Sequence, residues 1–215
     1  MRFPGAESFV PLNATLSQLW DAAQLCQGCN LYRNATQAVL GEGPAEARIV
    51  MVGEQPGDKE DIAGHPFVGP AGNLLGRALD DAGIARSDVY ITNAVKHFKF
   101  EERGKRRIHK KPSDSEIDAC KPWLWAELAR VRPEIIVCLG ATAARSVIGK
   151  EHRITRERGK FFRHPMAQAV ASTLHPSAVL RAPDSQQRRE AYEGFVADLK
   201  SVRRKLDRLT RLNPA

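Results

Sequence analysis

The sequence predicts an α/β protein of three layers, α/β/α, built around a central, mostly parallel sheet of four strands. Three observations lead there. Four short apolar runs, at 49–52, 89–92, 134–139 and 169–173, have the length and near-continuous hydrophobicity of strands buried on both faces. Helical periodicity follows each run, the alternation that sets strands parallel and covers both faces of a sheet. The 215 residues suffice for one sizeable core, so one domain is expected over 15–212, with an arm at 1–14 and no repeat or linker.

In order along the chain, Leu16 to Leu25 reads as a short helix that delivers Cys26 and Cys29 to a turn near Gly28. The run from Ile49 to Val52 is the first strand, and Gly53-Glu54-Gln55-Pro56-Gly57 leaves its end as an acidic, glycine-rich loop. A helix is expected from about Asn73 to Ala82, with Leu74, Leu75, Ala78 and Leu79 on one face. Val89 to Thr92 is the second strand and ends at Asn93. Ser115 to Arg130 is a helix capped by Ser113 or Ser115. Glu134 to Leu139 is the third strand, and a helix follows to about Ile148. Residues 151–168 read as irregular, with a hairpin around Gly159 as one option. Ala169 to Thr173 is the fourth strand, ending in Leu174-His175-Pro176-Ser177, and a basic helix closes the chain from Gln186 to about Leu212.

Lys and Arg number 33 against 25 Asp and Glu, an excess that suits a polyanionic partner without choosing among DNA, RNA and an acidic surface. No apolar run approaches the roughly 20 residues of a membrane span, and Met1-Arg2-Phe3-Pro4 does not open like a signal peptide. A cytoplasmic protein is expected, where structural disulfides are rare. Of the four cysteines, Cys26 and Cys29 form a two-spacer pair suited to a metal or redox site.

The densest charge lies in Lys105-Arg106-Arg107-Ile108-His109-Lys110-Lys111, inside an inserted stretch at 101–112. Gly104 and Pro112 flank it and argue against a helix. By itself the run is a solvated charge cluster or a general DNA clamp. Its neighbours give it weight: in a parallel sheet the strand ends carrying Glu54, Gln55, Asn93 and His175 face one rim. Singly, Asn93 suits a turn cap, His175 a satisfied core histidine and Glu54 an ion pair. Together with Phe67 they suit a flipped-out nucleobase, Phe67 stacking on it and Asn93 reading a donor–acceptor edge.

Four ordered segments carry a resemblance. Gly53-Glu54-Gln55-Pro56-Gly57, the stretch from Gly64 to Gly72, Thr92-Asn93 and His175-Pro176-Ser177 resemble the signature segments of iron–sulfur uracil-DNA glycosylases of family 4, and the likeness runs from about Leu16 to Lys200. Lys105-Arg106-Arg107-Ile108-His109 resembles the mark of the UdgX group, whose members excise uracil and become covalently joined to the DNA. The resemblance implies a uracil-DNA glycosylase-like fold and uracil-containing DNA, single- or double-stranded, as partner of a monomer. It implies base-binding roles for Phe67 and Asn93, with Gly53 and Gly57 in the loops that approach the base. It sets His175 toward O2 of uracil, and Ser177 and Arg181 on the segment that meets phosphates beside Lys105, Arg106 and Arg107. Gln55 stands where family 4 has glycine, which alters the water-activation site. His109 becomes the nucleophile that captures the sugar cation, with Glu54 orienting it or offsetting charge. A 4Fe–4S cluster is implied on Cys26, Cys29 and Cys120, with His97 where the family has its other cysteine. A set using Cys138 instead stays open. Two further readings also stay open: an ordinary turnover enzyme whose basic loop only clamps DNA, and a non-catalytic nucleic-acid-binding iron–sulfur protein.

Overall fold

The computed structural model describes residues 3–212. In chain order its elements are α1 (Leu16–Ala23), β1 (Ile49–Gly53), α2 (Asp58–Ala63), α3 (Pro70–Ala82), β2 (Val89–Asn93), β3 (Phe100–Arg103), β4 (Arg106–His109), α4 (Asp114–Val131), β5 (Ile135–Leu139), α5 (Ala141–Val147), α6 (Ile154–Glu157), β6 (Phe161–His164), β7 (Ala167–Thr173), α7 (Pro176–Leu180) and α8 (Ser185–Leu212). The three-layer α/β/α architecture is the expected one. The sheet, ordered β2-β1-β5-β7-β6, has five strands rather than four. The first four run parallel, and the additional β6 pairs antiparallel with β7 at the edge. It lies in the stretch read as irregular because its side chains are half-buried and its register slips between Phe162 and His164. An edge strand of that kind shows neither a continuous apolar run nor clean alternation.

Residues of β1, β2 and β5 are buried without exception, as strands covered on both faces must be. One face packs on α3 and α8 through Leu75, Leu79, Phe195 and Leu199. The other packs on α4 and α5 through Leu124, Leu128 and Ala143. A third apolar cluster lies beside the sheet, where α1 and the Cys26–Leu40 segment meet α4 around Trp123. Residues from the start of the described chain join it: Ala6 is buried and donates its N–H to Ala119 O at 2.9 Å. Thr15 and Ser113 cap α1 and α4 with reciprocal capping boxes, which satisfy exposed N–H groups at both helix starts.

The basic run is neither helix nor open loop. Residues 100–109 form a hairpin, β3 on β4, in which Arg103 faces Arg106 across a two-residue turn. Gly104 sits first in that turn at φ +59°, where a side chain is strained and glycine is not.

Candidate active site

Three parallel strands end at one rim. β1 runs out at Gly53 opposite Asn93, the last residue of β2, and the chain beyond β7 reaches His175 two residues later. These ends surround a cavity of about 900 Å³ whose lining includes Glu54, Gln55, Phe67, Asn93, His109 and His175. The expected convergence is therefore present, and the hairpin brings His109 into it.

Backbone geometry makes the base of the cavity tight. A Cβ on Gly53 would come within 2.3 Å of Asn93 Oδ1 and 2.8 Å of the Phe67 ring, so only glycine lets those two side chains meet there. Phe67 itself is left-handed at φ +59°, a strained state for an aromatic residue that persists where the surroundings hold it. Its carbonyl rests against Gly72, where a Cβ would approach to 1.5 Å. Its ring lies 6.0 Å from that of His175. Asn93 is buried, and its Nδ2 has no hydrogen-bond partner among the described residues. A buried amide donor without a partner costs free energy, and a ligand edge presented to the cavity would satisfy it.

His175 has a defined tautomer. The backbone N–H of Ser177 donates to Nδ1 at 3.2 Å, with the Ser177 hydroxyl 2.7 Å away. Nδ1 is thus an acceptor, and in the neutral ring the proton sits on Nε2. Burial, with Arg181 and His109 nearby, lowers the His175 pKa to about 4, so the ring is neutral at pH 7.

His109 Nε2 lies 3.3 Å from Glu54 Oε1, with the imidazole about half exposed. Thr142, at the start of α5, donates its hydroxyl to the other oxygen of Glu54. Gln55 clamps the base of the hairpin: its amide donates to Lys99 O and Lys110 O, and Lys99 N–H donates back, each at 3.1 Å. Gln55 thus lines the cavity while its side-chain amide is spent on the backbone flanking both hairpin strands.

Arg107 departs from the reading of a cation facing DNA. It points inward and donates to Asp58 and Asp61 at 2.6 Å each. Its guanidinium lies 5.5 Å and 5.0 Å from the rings of Phe98 and Phe100. Two carboxylates and two aromatic faces outcompete a solvated phosphate for a group so enclosed. Lys105 and Arg106, at the tip, make no ion pair among the described residues, and neither does Arg181 at the cavity mouth. Gly57 caps α2, with its N–H held by Glu60.

Behind Asn93 lies a buried ion pair. Lys96 Nζ meets Glu127 and also donates to Asn93 O at 2.6 Å and Thr92 Oγ1 at 2.8 Å. Glu127 further accepts from Tyr90 at 2.9 Å and from Gly41 N–H at 2.7 Å. Sequence reading missed Thr142, Glu60, the Asp58–Asp61 pair and the Lys96–Glu127 pair. A Lys and a Glu inside otherwise apolar segments was the available signal for the last.

Cys26, Cys29 and Cys120 are free, buried and in the third core cluster. Burial raises the Cys29 and Cys120 pKa values, the latter to about 12, and the neighbouring thiols add to the rise. His97 is buried, its pKa lowered to about 4 by burial, and it borders the same cleft as Cys26. Among the described residues no three His, Cys, Asp or Glu side chains gather around a single-ion site. Three thiols in one core cluster, with a neutral imidazole bordering the cleft that Cys26 lines, form a donor set that suits a polynuclear cluster. Cys138 lies in the core between β5 and α4 instead.

Residues 40–200 match the model of the uracil DNA glycosylase superfamily. The chain belongs to that superfamily. The match spans every cavity residue named above, from Glu54 to Arg181, while Cys26 and Cys29 lie ahead of it. A type-4 uracil-DNA glycosylase of Thermotoga maritima is 41% identical over 169 residues, covering 78% of this chain and 84% of that protein. One from Archaeoglobus fulgidus is 38% identical over 184 residues, covering 82% and 86%. A type-5 uracil-DNA glycosylase of Pyrobaculum aerophilum is 32% identical over 121 residues, half of either chain.

Proposed function

We propose that this chain excises uracil from DNA and then joins His109 to C1′ of the sugar left behind. The observation that carries the reading is that His109, paired with Glu54, lines the same cavity as Phe67, Asn93 and His175. In this reading uracil leaves the stack and lies on Phe67, and Asn93 bonds its N3–H and O4 edge. His175 donates its Nε2–H to O2. As the C1′–N1 bond breaks, the electron pair departs with uracil, and the anion is steadied by that donor. C1′ is left with oxocarbenium character, as in glycoside hydrolysis. A ring nitrogen of His109 supplies its lone pair to C1′, the resulting imidazolium loses its N–H proton to water, and the uracil anion takes up a proton from water, so that adduct and free base are both neutral. Glu54 orients the ring through one oxygen while Thr142 holds the other. Lys105, Arg106, Ser177 and Arg181 meet the DNA backbone. The donor set of Cys26, Cys29, Cys120 and His97 would hold a 4Fe–4S cluster, which would order the segment between Asn93 and the hairpin.

A second reading, ordinary turnover with the hairpin as a clamp, draws on the type-4 relatives. Uracil-containing and uracil-free oligonucleotides, run with the protein on a denaturing gel while released uracil is counted, separate the two. The proposed reading expects a shifted band with uracil only, and about one uracil freed per chain. Many uracils freed without a shifted band establishes ordinary turnover, and neither product leaves a binding protein.

A further inference from the structure

On the far side of α7 from the cavity lies a second cleft, of about 320 Å³. Its floor is apolar, formed by Leu74, Val179, Leu180 and the ring of Tyr192. Its rim carries Arg77, Arg188 and Arg189, which are exposed and make no ion pair among the described residues. The Tyr192 hydroxyl donates to Asp81 at 2.7 Å, which holds the ring in place. We propose that this cleft is a second nucleotide site, taking an unpaired base of the strand that flanks the uracil, together with its phosphate.

The inference rests on the reading of the first cavity as a uracil site, and α7 links the two. Ser177, Ala178 and Arg181 line the first cavity, whereas Val179 and Leu180 line the second. A strand leaving the first cavity over α7 therefore arrives at the arginines. A helix is about 10 Å across and stacked nucleotides advance about 3.4 Å along a strand, so the occupant lies within about three nucleotides of the uracil. The two halves of the cleft suit different parts of a ligand. Phosphate alone satisfies the arginines but leaves the apolar floor wet, and an apolar group alone leaves three cations unmatched. A nucleotide carries a phosphate and a flat apolar face together, which is how single-strand binders combine cations with ring surfaces. A base inside a duplex is stacked and paired, and has no face to offer. The cleft accordingly favours substrates that are single-stranded on one side of the uracil.

The test uses single-stranded oligonucleotides carrying a non-cleavable 2′-fluorinated deoxyuridine and 2-aminopurine at successive positions on either side of it. The proposal expects a fluorescence change at one position, on one side only, that disappears when a complementary strand covers that flank. Arg77→Glu with Arg188→Glu and Arg189→Glu should abolish the change and weaken single-strand binding about tenfold or more. The slope of log affinity against log salt should fall by about 0.7 for each phosphate that the variant no longer neutralises. Lysine at positions 188 and 189 should restore much of the affinity, and the triple variant should release uracil at the wild-type rate from an oligonucleotide too short to reach the cleft. Equal fluorescence at every position, or equal weakening on single-stranded and duplex flanks, sinks the proposal. So does binding of the position-specific probe by the triple variant as tightly as by wild type. Failure of the wild type to release uracil from any substrate instead condemns the reading of the first cavity.

Discussion

At His175, burial, with Arg181 and His109 nearby, keeps the ring neutral, and Nδ1 accepts the Ser177 N–H. Protonating Nδ1 would break that bond and bury a charge beside Arg181. The pKa falls from 6.5 to about 4, so between those values the unfolded chain binds a proton that the folded chain refuses. Stability from this group is complete above about pH 6.5 and declines as pH falls toward 4, by about 3 kcal/mol at most. Urea unfolding at pH 7 and pH 4.5 should therefore show a smaller loss in His175→Gln than in wild type, and equal losses would contradict the assignment. His109 makes a second prediction at this scale. Replacing it with Gly should remove the denaturant-stable band on uracil DNA while uracil release persists, because in the proposed reading bond cleavage depends on Phe67, Asn93 and His175 and not on His109. A surviving band would move the nucleophile elsewhere. These residues were legible in the sequence because strand ends in a parallel sheet share a rim. The tautomer of His175 and the unpartnered Asn93 amide were not, since both depend on which neighbours the fold supplies.

At the scale of the element, the hairpin separates cations that composition counts as equal. Lys105→Ala and Arg106→Ala should each lower the salt slope of duplex binding by about 0.9, one phosphate apiece. Arg107→Ala should leave that slope unchanged and instead loosen the hairpin, reducing adduct yield more than uracil release. A salt slope that falls equally in all three variants would put Arg107 back on the DNA. The sequence could not make this distinction because Asp58 and Asp61 lie 49 and 46 residues away from Arg107. Gln55 was visible as an odd residue in its motif, yet its bonds to Lys99 and Lys110 span 44 and 55 residues. The edge strand β6 escaped for a different reason, since a half-buried pattern with a register slip carries no period to detect.

Across the whole molecule, the four apolar runs announced the parallel part of the sheet and the helices between them, while the third core cluster had only the Cys26–Cys29 pair as its signal. Cys120→Ala should cost the protein its iron and its brown colour when purified anaerobically, and Cys138→Ala should not; the reverse would transfer the ligand to β5. The Lys96–Glu127 pair ties α4 to β2 beneath Asn93. Glu127→Leu strands a buried ammonium and should destabilise by about 3–5 kcal/mol, with Lys96→Met in the same chain recovering much of it. Additive losses in the double variant would show that the two do not act as a pair. Firmness is unevenly distributed over this frame. The central strands are buried throughout, but β3 and β4 are at best half-buried, and a lone two-stranded ribbon is marginal in water. Its side-chain attachments are few: Gln55 at its base, Arg107 to Asp58 and Asp61, His109 to Glu54 and the flanking Lys99 to Glu116. Amide protons of residues 100–109 should accordingly exchange with solvent orders of magnitude faster than those of β1 and β5, through openings that leave the sheet intact. The segment bearing His109 should thus unlatch before the central strands do, and DNA bound as proposed through Lys105 and Arg106 would slow that exchange.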